Sequence, residues 1–357
     1  SRADEWRAVL PKGKQRALIE NAEQYLGHDW PLAKATVFLD YVRNGNRTRF
    51  ERIHFARRVA LVSLVMGELI EGEGRFLDDI ANGVWAICEE SFWGIQGGLR
   101  LSKRGAGLPD VNDPVVDLFA AQTVQILAWT SYLLADGLDA VHPMLRERIY
   151  LEADRRIFRV IEARPTYRWT GAPQIIDDPT LSYARKSFLQ RRPNNWNPWI
   201  SSNLLTSILL LESDQTRRAA FVHQVLGYLD KYLDPHPADG GSDEGTGYWG
   251  HAAGSTFECL DLLHMATKGA LNEFGKPLIV NMGEFIFKAY IGNGYYVNFA
   301  DASARRDHSP MLVYRFGKAV GSEQMMAMGA FLAAQSDFEN KVPRDRSLLR
   351  NLPELFF

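Results

Sequence analysis

Only two cysteines occur in the 357 residues, Cys88 and Cys259. Two are too few for a disulfide framework or a cysteine-rich zinc site, and a pair of buried thiols is expected. No apolar run reaches the roughly 18 residues a membrane-crossing helix needs, so no span is predicted. Net charge is also nearly absent, at −2. No global field gathers a polyanion, and an acidic ligand has to be met by a local basic patch. Nucleic acid is not expected as a partner, because the balance is acidic and no recognised binding motif occurs. The eight histidines show neither HxxxH nor HxH spacing. No metal site is therefore predicted, and no cofactor. No GxSxG supports Ser/His/Asp catalysis. The first residues, Ser1-Arg2-Ala3-Asp4-Glu5-Trp6, contain no apolar signal core, which fits a cytoplasmic protein or a bacterial periplasmic one whose leader is gone.

What is present is helical. With 46% hydrophobic and 24% charged residues the chain is globular rather than disordered. Apolar residues recur at helical spacing over Lys14–Tyr25, Pro31–Val42, Phe50–Ile70, Arg75–Ser91, Val115–Ala135 and His142–Glu162. The pattern continues over Trp196–Leu211, Gln215–Leu233, Thr246–Met265, Pro277–Ile291 and Ser322–Ala333. Asp113-Pro114 reads as the start of the fifth of these helices. Tyr295–Phe299 is the one strand-like fragment. Long loops at 91–113, 163–195, 234–245 and 293–307 alternate with short connections and hold much of the Trp, Tyr, Asn and Gly. Such a series predicts an all-α fold, an incomplete or complete (α/α) toroid of about five to six helical hairpins with a one-sided central cleft. Residues 1–45 are expected as a helical N-terminal segment, 46–340 as the cleft-bearing toroid and 341–357 as a tail.

Two segments concentrate the chemistry. The first is Asn194-Asn195-Trp196-Asn197-Pro198-Trp199, where three amides and two indoles exceed what a helix cap needs. Amide NH2 groups bind carboxylates, and indole faces stack on sugar rings. The second is Gly240-Gly241-Ser242-Asp243-Glu244-Gly245-Thr246-Gly247-Tyr248-Trp249-Gly250-His251. If Thr246 caps the following helix, Tyr248, His251, Ser255 and Glu258 share one face, and the Tyr248 phenol feels the positive helix end. Two readings stand for Tyr248: a proton-transferring phenol, or an amphipathic ring that packs while its hydroxyl meets water. Basic residues lie on the loops at Arg100, Lys103 and Arg104, and at Arg185, Lys186, Arg191 and Arg192. Asp239, Asp243, Glu244 and Asp301 are carboxylates in the same region, with turn chemistry as the alternative role for the aspartates.

Together the two segments resemble the heparinase II/III-like family of polysaccharide lyases, with support from 71–80, 85–91 and 296–301. The resemblance implies a toroid domain that acts on uronic-acid-containing acidic polysaccharide or oligosaccharide (heparin, heparan sulfate or another glycosaminoglycan) by β-elimination. It also implies a C-terminal β-sandwich, expected in the full-length protein, which supplies a catalytic histidine. Relatives place a further histidine beside the Asn motif or in the first long loop, where this chain has Trp196 and Gln96. Carried onto this sequence, the catalytic set is Tyr248 as base, as acid or as both, Asn195 on the uronate carboxylate and His251 as a tuning group. Asn194, Trp196, Asn197, Trp249, Glu244, Trp93, Gln96, Arg192 and Tyr296 are the expected substrate-binding residues. Two alternatives stay open: a toroidal glycoside hydrolase with an Asp/Glu pair, and a non-catalytic acidic-glycan-binding domain.

Overall fold

The computed structural model describes residues 2–171, 193–336, 338, 342–343 and 345–356. Helix makes up 65% and strand 2%, with sixteen α-helices and one small hairpin among the described residues, so the fold class is all-α. It divides into two compact units, Ser1–Ala163 with Asp337–Phe357, and Arg164–Ser336. Residues 1–45 and the described part of the tail belong to the first unit.

In the first unit α1 (Arg2–Val9), α2 (Lys12–Glu23) and α3 (Ala35–Asn44) surround α4 (Thr48–Glu71). From Ala60 to Ile70 every residue of α4 is buried, as expected of a helix apolar on all sides. α5 (Leu77–Cys88) follows, then a 3-10 turn at Gln96–Leu101. α6 (Leu118–Leu133) starts later than expected. Its cap is Asp117, whose carboxylate accepts from Phe119 N (3.1 Å) and Ala120 N (2.8 Å), not Asp113. The same carboxylate accepts from Ile95 N at 3.4 Å, which ties the first long loop to the helix start. The helical region does not end at Ala135, as expected from the pattern over Val115–Ala135: the chain bends by 86° into α7 (Ala135–Val141). α8 (Met144–Ala153) and α9 (Arg159–Ala163) are joined by a π-turn at Asp154–Phe158. The tail returns to this unit. Its helix α16 (Leu348–Asn351) packs on α6, where the Gln125 amide accepts from Leu349 N at 2.9 Å and meets Ser347 Oγ at 3.1 Å. No single helix among the described residues is long and apolar enough to cross a membrane.

The second unit holds α10 (Trp196–Leu211), α11 (Gln215–Leu233), α12 (Ala253–Ala266) and α13 (Pro277–Lys288). A hairpin of β1 (Tyr290–Gly292) and β2 (Tyr295–Tyr296) follows, then α14 (Pro310–Val320) and α15 (Glu323–Gln335). α10 packs against both α11 and α12, and α14 against α15. The hairpin turns at Asn293 and Gly294, with φ of 51° and 78°, the positive angles a two-residue hairpin turn demands. The strand expected over 295–299 is shorter, because pairing ends at Tyr296. Both cysteines are buried and unbridged thiols.

Candidate functional site

α10 carries neutral polar residues through a buried environment by bonding them to its own backbone. Asn203 Nδ2 donates to Trp199 O (2.7 Å), Thr206 Oγ1 to Ser202 O (2.9 Å) and Ser207 Oγ to Asn203 O (2.7 Å). At its start, Asn194 Oδ1 accepts from Trp196 N at 3.3 Å, and Asn195 O accepts from Trp199 N at 3.1 Å. The first of these bonds fixes the Asn194 amide relative to the helix axis, and the second fixes the backbone from which the Asn195 amide projects.

The glycine-rich loop is shaped by close approach. A Cβ on Gly240 would lie 2.3 Å from the backbone of Asn281 and Met282, and one on Gly245 would lie 2.5 Å from Phe299 O. Both have positive φ, 74° and 82°, which glycine alone adopts at little cost. The loop is thereby seated against α13 and the turn at 299–302, and Glu244 is directed toward the start of α10. Glu244 Oε1 accepts from Asn194 Nδ2 at 3.0 Å, and Glu244 Oε2 accepts from Asn195 Nδ2. One carboxylate thus holds both amides of the Asn-Asn pair. Burial pushes the Glu244 carboxyl above the usual range; the Asn194 bond opposes this, while Asp243 and Asp301 add to it. Among the described residues no cation pairs with it.

Beyond Glu244 the chain makes a 3-10 turn, Thr246–Tyr248, and α12 begins only at Ala253. Thr246 therefore does not cap this helix, and Tyr248 and His251 precede the face that Ser255 and Glu258 occupy. Instead Tyr248 O accepts from His251 N and Ala252 N, both at 2.9 Å. Local hydrogen bonding of the turn, not the dipole of α12, positions the half-buried phenol. The His251 imidazole stacks on Trp199 with ring centroids 3.8 Å apart and planes 16° apart, and lies 6.4 Å from the Tyr248 ring.

A scan against protein-family models finds no match, and a search of curated proteins likewise finds none. The resemblance noted above rests on the motif residues themselves.

Asn194, Asn195, Glu244, Tyr248 and His251 are gathered in one unit, and Trp199, a member of the Asn motif, joins them as the ring under His251. Asn195 is only 4% exposed, with its amide held by Glu244. Trp196 is half-buried at the helix start. Other expected site residues are placed differently. Asn197 is fully buried and donates to Trp169 O and Tyr228 O, both at 2.8 Å, so its role is to pin neighbouring backbone. Trp249 is fully buried, with Nε1 donating to Met282 O at 2.9 Å. Tyr296 is 1% exposed. These two rings enclose His308, at 5.9 and 4.9 Å between centroids, as a support beneath the loop. Neither offers a face to a sugar.

Trp93 and Gln96 belong to the first unit. Trp93 is 1% exposed, donates Nε1 to Ile87 O at 2.8 Å and lies under the Arg156 guanidinium at 4.9 Å. It is a core residue. Gln96 is equally buried, with neither amide atom hydrogen-bonded among the described residues. Of the basic loop residues, Arg104 pairs with Asp110 at 2.9 Å and Arg100 lies over Tyr41. Arg185, Lys186, Arg191 and Arg192 lie outside the described residues. Asp239 serves its own turn, accepting from Gly241 N at 3.0 Å. Among the described residues no cluster of three His, Cys, Asp or Glu side chains is placed to hold a metal ion.

Proposed function

We propose that the chain is a polysaccharide lyase that cleaves uronate-containing acidic polysaccharide by β-elimination. One observation carries the reading. The amides of Asn194 and Asn195 converge on Glu244 across 50 and 49 residues of sequence, four positions before Tyr248 and beside the Trp199–His251 stack. The (α/α) toroid with a one-sided cleft belongs to the same proposal, supported by the helix series and the motif resemblance.

Removing the C5 proton of a uronate is difficult because the adjacent carboxylate resists further negative charge. Each Asn amide has two N–H groups, and Glu244 takes one from Asn194 and one from Asn195. The remaining N–H of each donates to the uronate carboxylate and stabilises the enolate that develops on it. Two carboxylates in one place repel, and a Glu244 carboxyl already raised by burial takes up a proton readily as the second arrives. The Tyr248 phenolate removes the C5 proton, and the phenol so formed protonates the departing O4, which completes a syn elimination. His251, held flat on Trp199, orients the phenol.

The test is incubation with heparin, heparan sulfate, hyaluronan, chondroitin and alginate while following the ultraviolet absorbance of the unsaturated product. Absorbance is expected with at least one substrate and is lost in Tyr248→Phe. Full activity in that variant overturns the reading. A second reading is favoured by the carboxylates that face Glu244: with Asp301 nearby and its own carboxyl raised, Glu244 has the features of a glycosidase acid. Saturated reducing ends whose formation needs Glu244 and survives Tyr248→Phe would select the hydrolase.

A further inference from the structure

The first unit contains a cavity of about 280 Å³, between the start of α3, the first half of α4 and the segments at 89–92 and 108–109. Its walls are mostly apolar: Phe38, Phe50, Ile53 and Phe92 line it, with the exposed side chains of Leu32 and Leu108 at its rim. The volume is at the small end of ligand pockets. His54 and Arg57 are its polar lining from α4, Glu89, Glu90 and Ser91 from the segment after α5.

The charges around it do not cancel. Arg57 and Arg58 are both buried, 3% and 2% exposed, and both bond to the single carboxylate of Glu90: Arg57 Nη1 at 2.7 Å, Arg58 Nη1 and Nη2 at 2.6 and 2.7 Å. Glu89, the other lining carboxylate, is taken by Arg148 at 3.1 Å. Among the described residues one positive charge remains in excess. Arg57 also donates Nε and Nη2 to Pro31 O. A guanidinium has five N–H groups, and these bonds use three. The other two have no acceptor among the described residues. A buried guanidinium with unused donors is costly unless something supplies the missing acceptor. The His54 ring offers no competing charge: burial first, then Arg58, Arg346 and Arg57, hold it well below the usual histidine range, so it is neutral.

We propose that this cavity binds a small amphipathic carboxylic acid, its carboxylate on the unused N–H groups of Arg57 and its hydrocarbon body among Phe38, Phe50, Ile53 and Phe92. An anion is selected by the excess charge, and a carboxylate matches the planar fork of the guanidinium. The site is independent of the lyase reading and involves none of its residues.

The probe is octanoate, titrated into the full chain by calorimetry beside octanamide, which has the same tail and no charge. Saturable one-to-one binding of octanoate is expected, at least tenfold tighter than octanamide. Ala35→Trp places a bulky ring at the exposed first residue of α3, on the lining. It should weaken octanoate binding at least tenfold, and Leu108→Glu at the rim should do the same by repulsion. Circular dichroism melts show which variants are folded, and two mouth positions keep the test valid if one is not. Absence of saturable binding overturns the proposal. Equal binding of octanoate and octanamide overturns the charge selection, and unchanged binding in both folded variants overturns the location.

Discussion

The first unit closes most of its buried charges on one another, whereas the second, beside the Glu212–Arg217 and Asp261–Arg315 pairs, buries many neutral amides and hydroxyls and holds one carboxylate, Glu244, by amides alone. In the first, Glu90 is shared by Arg57 and Arg58, and Glu152 accepts from Arg148 (3.0 Å) and Arg155 (2.7 Å) as well as Arg156. In the second, Asn197, Asn203, Thr206 and Ser207 are satisfied by backbone carbonyls, and Glu244 is held by two amides. Charge that is neutralised by a bidentate partner is structural and has little capacity to change state. A carboxylate held only by amides has no counter-charge, so it can take up a proton or exchange partners. The proposed lyase chemistry sits in the unit built in the second way. In the first, the surplus guanidinium of Arg57 is a place where that closure is incomplete beside a cavity.

Breaking the closed network should have the largest effect. Glu90→Ala leaves two buried guanidinium groups without their carboxylate and should cost about 3–5 kcal/mol in urea unfolding. A loss under about 1 kcal/mol would mean that the network is not a stabilising closure. In the second unit, Asn197→Ala removes two buried hydrogen bonds, to Trp169 O and to the helical carbonyl of Tyr228, and should cost about 1–3 kcal/mol without removing any group that faces a ligand. The support under the glycine loop should respond to acid. Burial, aided by Arg306, holds His308 down to about 4 against an ordinary 6.5. Above pH 6.5 the ring is neutral folded and unfolded. As pH falls from 6.5 toward 4 the unfolded chain takes up a proton that the folded ring resists, so stability is lost, on the order of 2 kcal/mol by pH 4.5. In His308→Phe that loss should vanish from the difference between melts at pH 7 and pH 4.5; an unchanged difference would exclude His308 as the source.

Much of the helical framework was readable from local pattern. α10 and α11 occupy the expected residues, because Asp214 caps the second (Arg217 N, 2.9 Å) and each has a continuous apolar run. α14 is not among the helices expected from the pattern, although Ser309-Pro310 is a cap and a first-turn proline, with Ser309 Oγ accepting from Leu312 N at 3.3 Å. The start of α12 was misplaced by several residues, because a 3-10 turn through Tyr248 gives the same short-range spacing as a first α-helical turn. The site was legible only in its composition. Nothing in the local sequence pairs Asn194 and Asn195 with Glu244, since that contact depends on where the glycine loop packs against α13. Aromatic content also did not reveal direction: Trp93, Trp249 and Tyr296 face inward and serve as core.

The smallest change in stability should accompany a large change in function, and Glu244→Gln is the substitution that separates the two. Gln is nearly the same shape and still offers one oxygen to an amide, so one hydrogen bond of the pair is kept and one is lost. Against that loss stands a gain. A carboxyl raised in the folded chain binds its proton more tightly than in the unfolded chain, so its ionised form disfavours folding once pH rises above the raised value. A permanently neutral Gln escapes this, and the two effects offset to within about 1 kcal/mol in urea unfolding at pH 7. Elimination has no such compensation. The Gln amide nitrogen turns a donor toward one Asn donor, the amide pair loses its common anchor, and kcat/KM should fall on the order of 10²-fold. The upper limb of the pH–rate profile, set by whichever group must be protonated when the uronate binds, should move with the substitution if that group is Glu244. A variant that melts like the parent and turns over tenfold or more slowly places Glu244 in the chemistry. One that melts like the parent and turns over at the same rate would make it a loop brace, and the contrast between the two units would be one of folding alone.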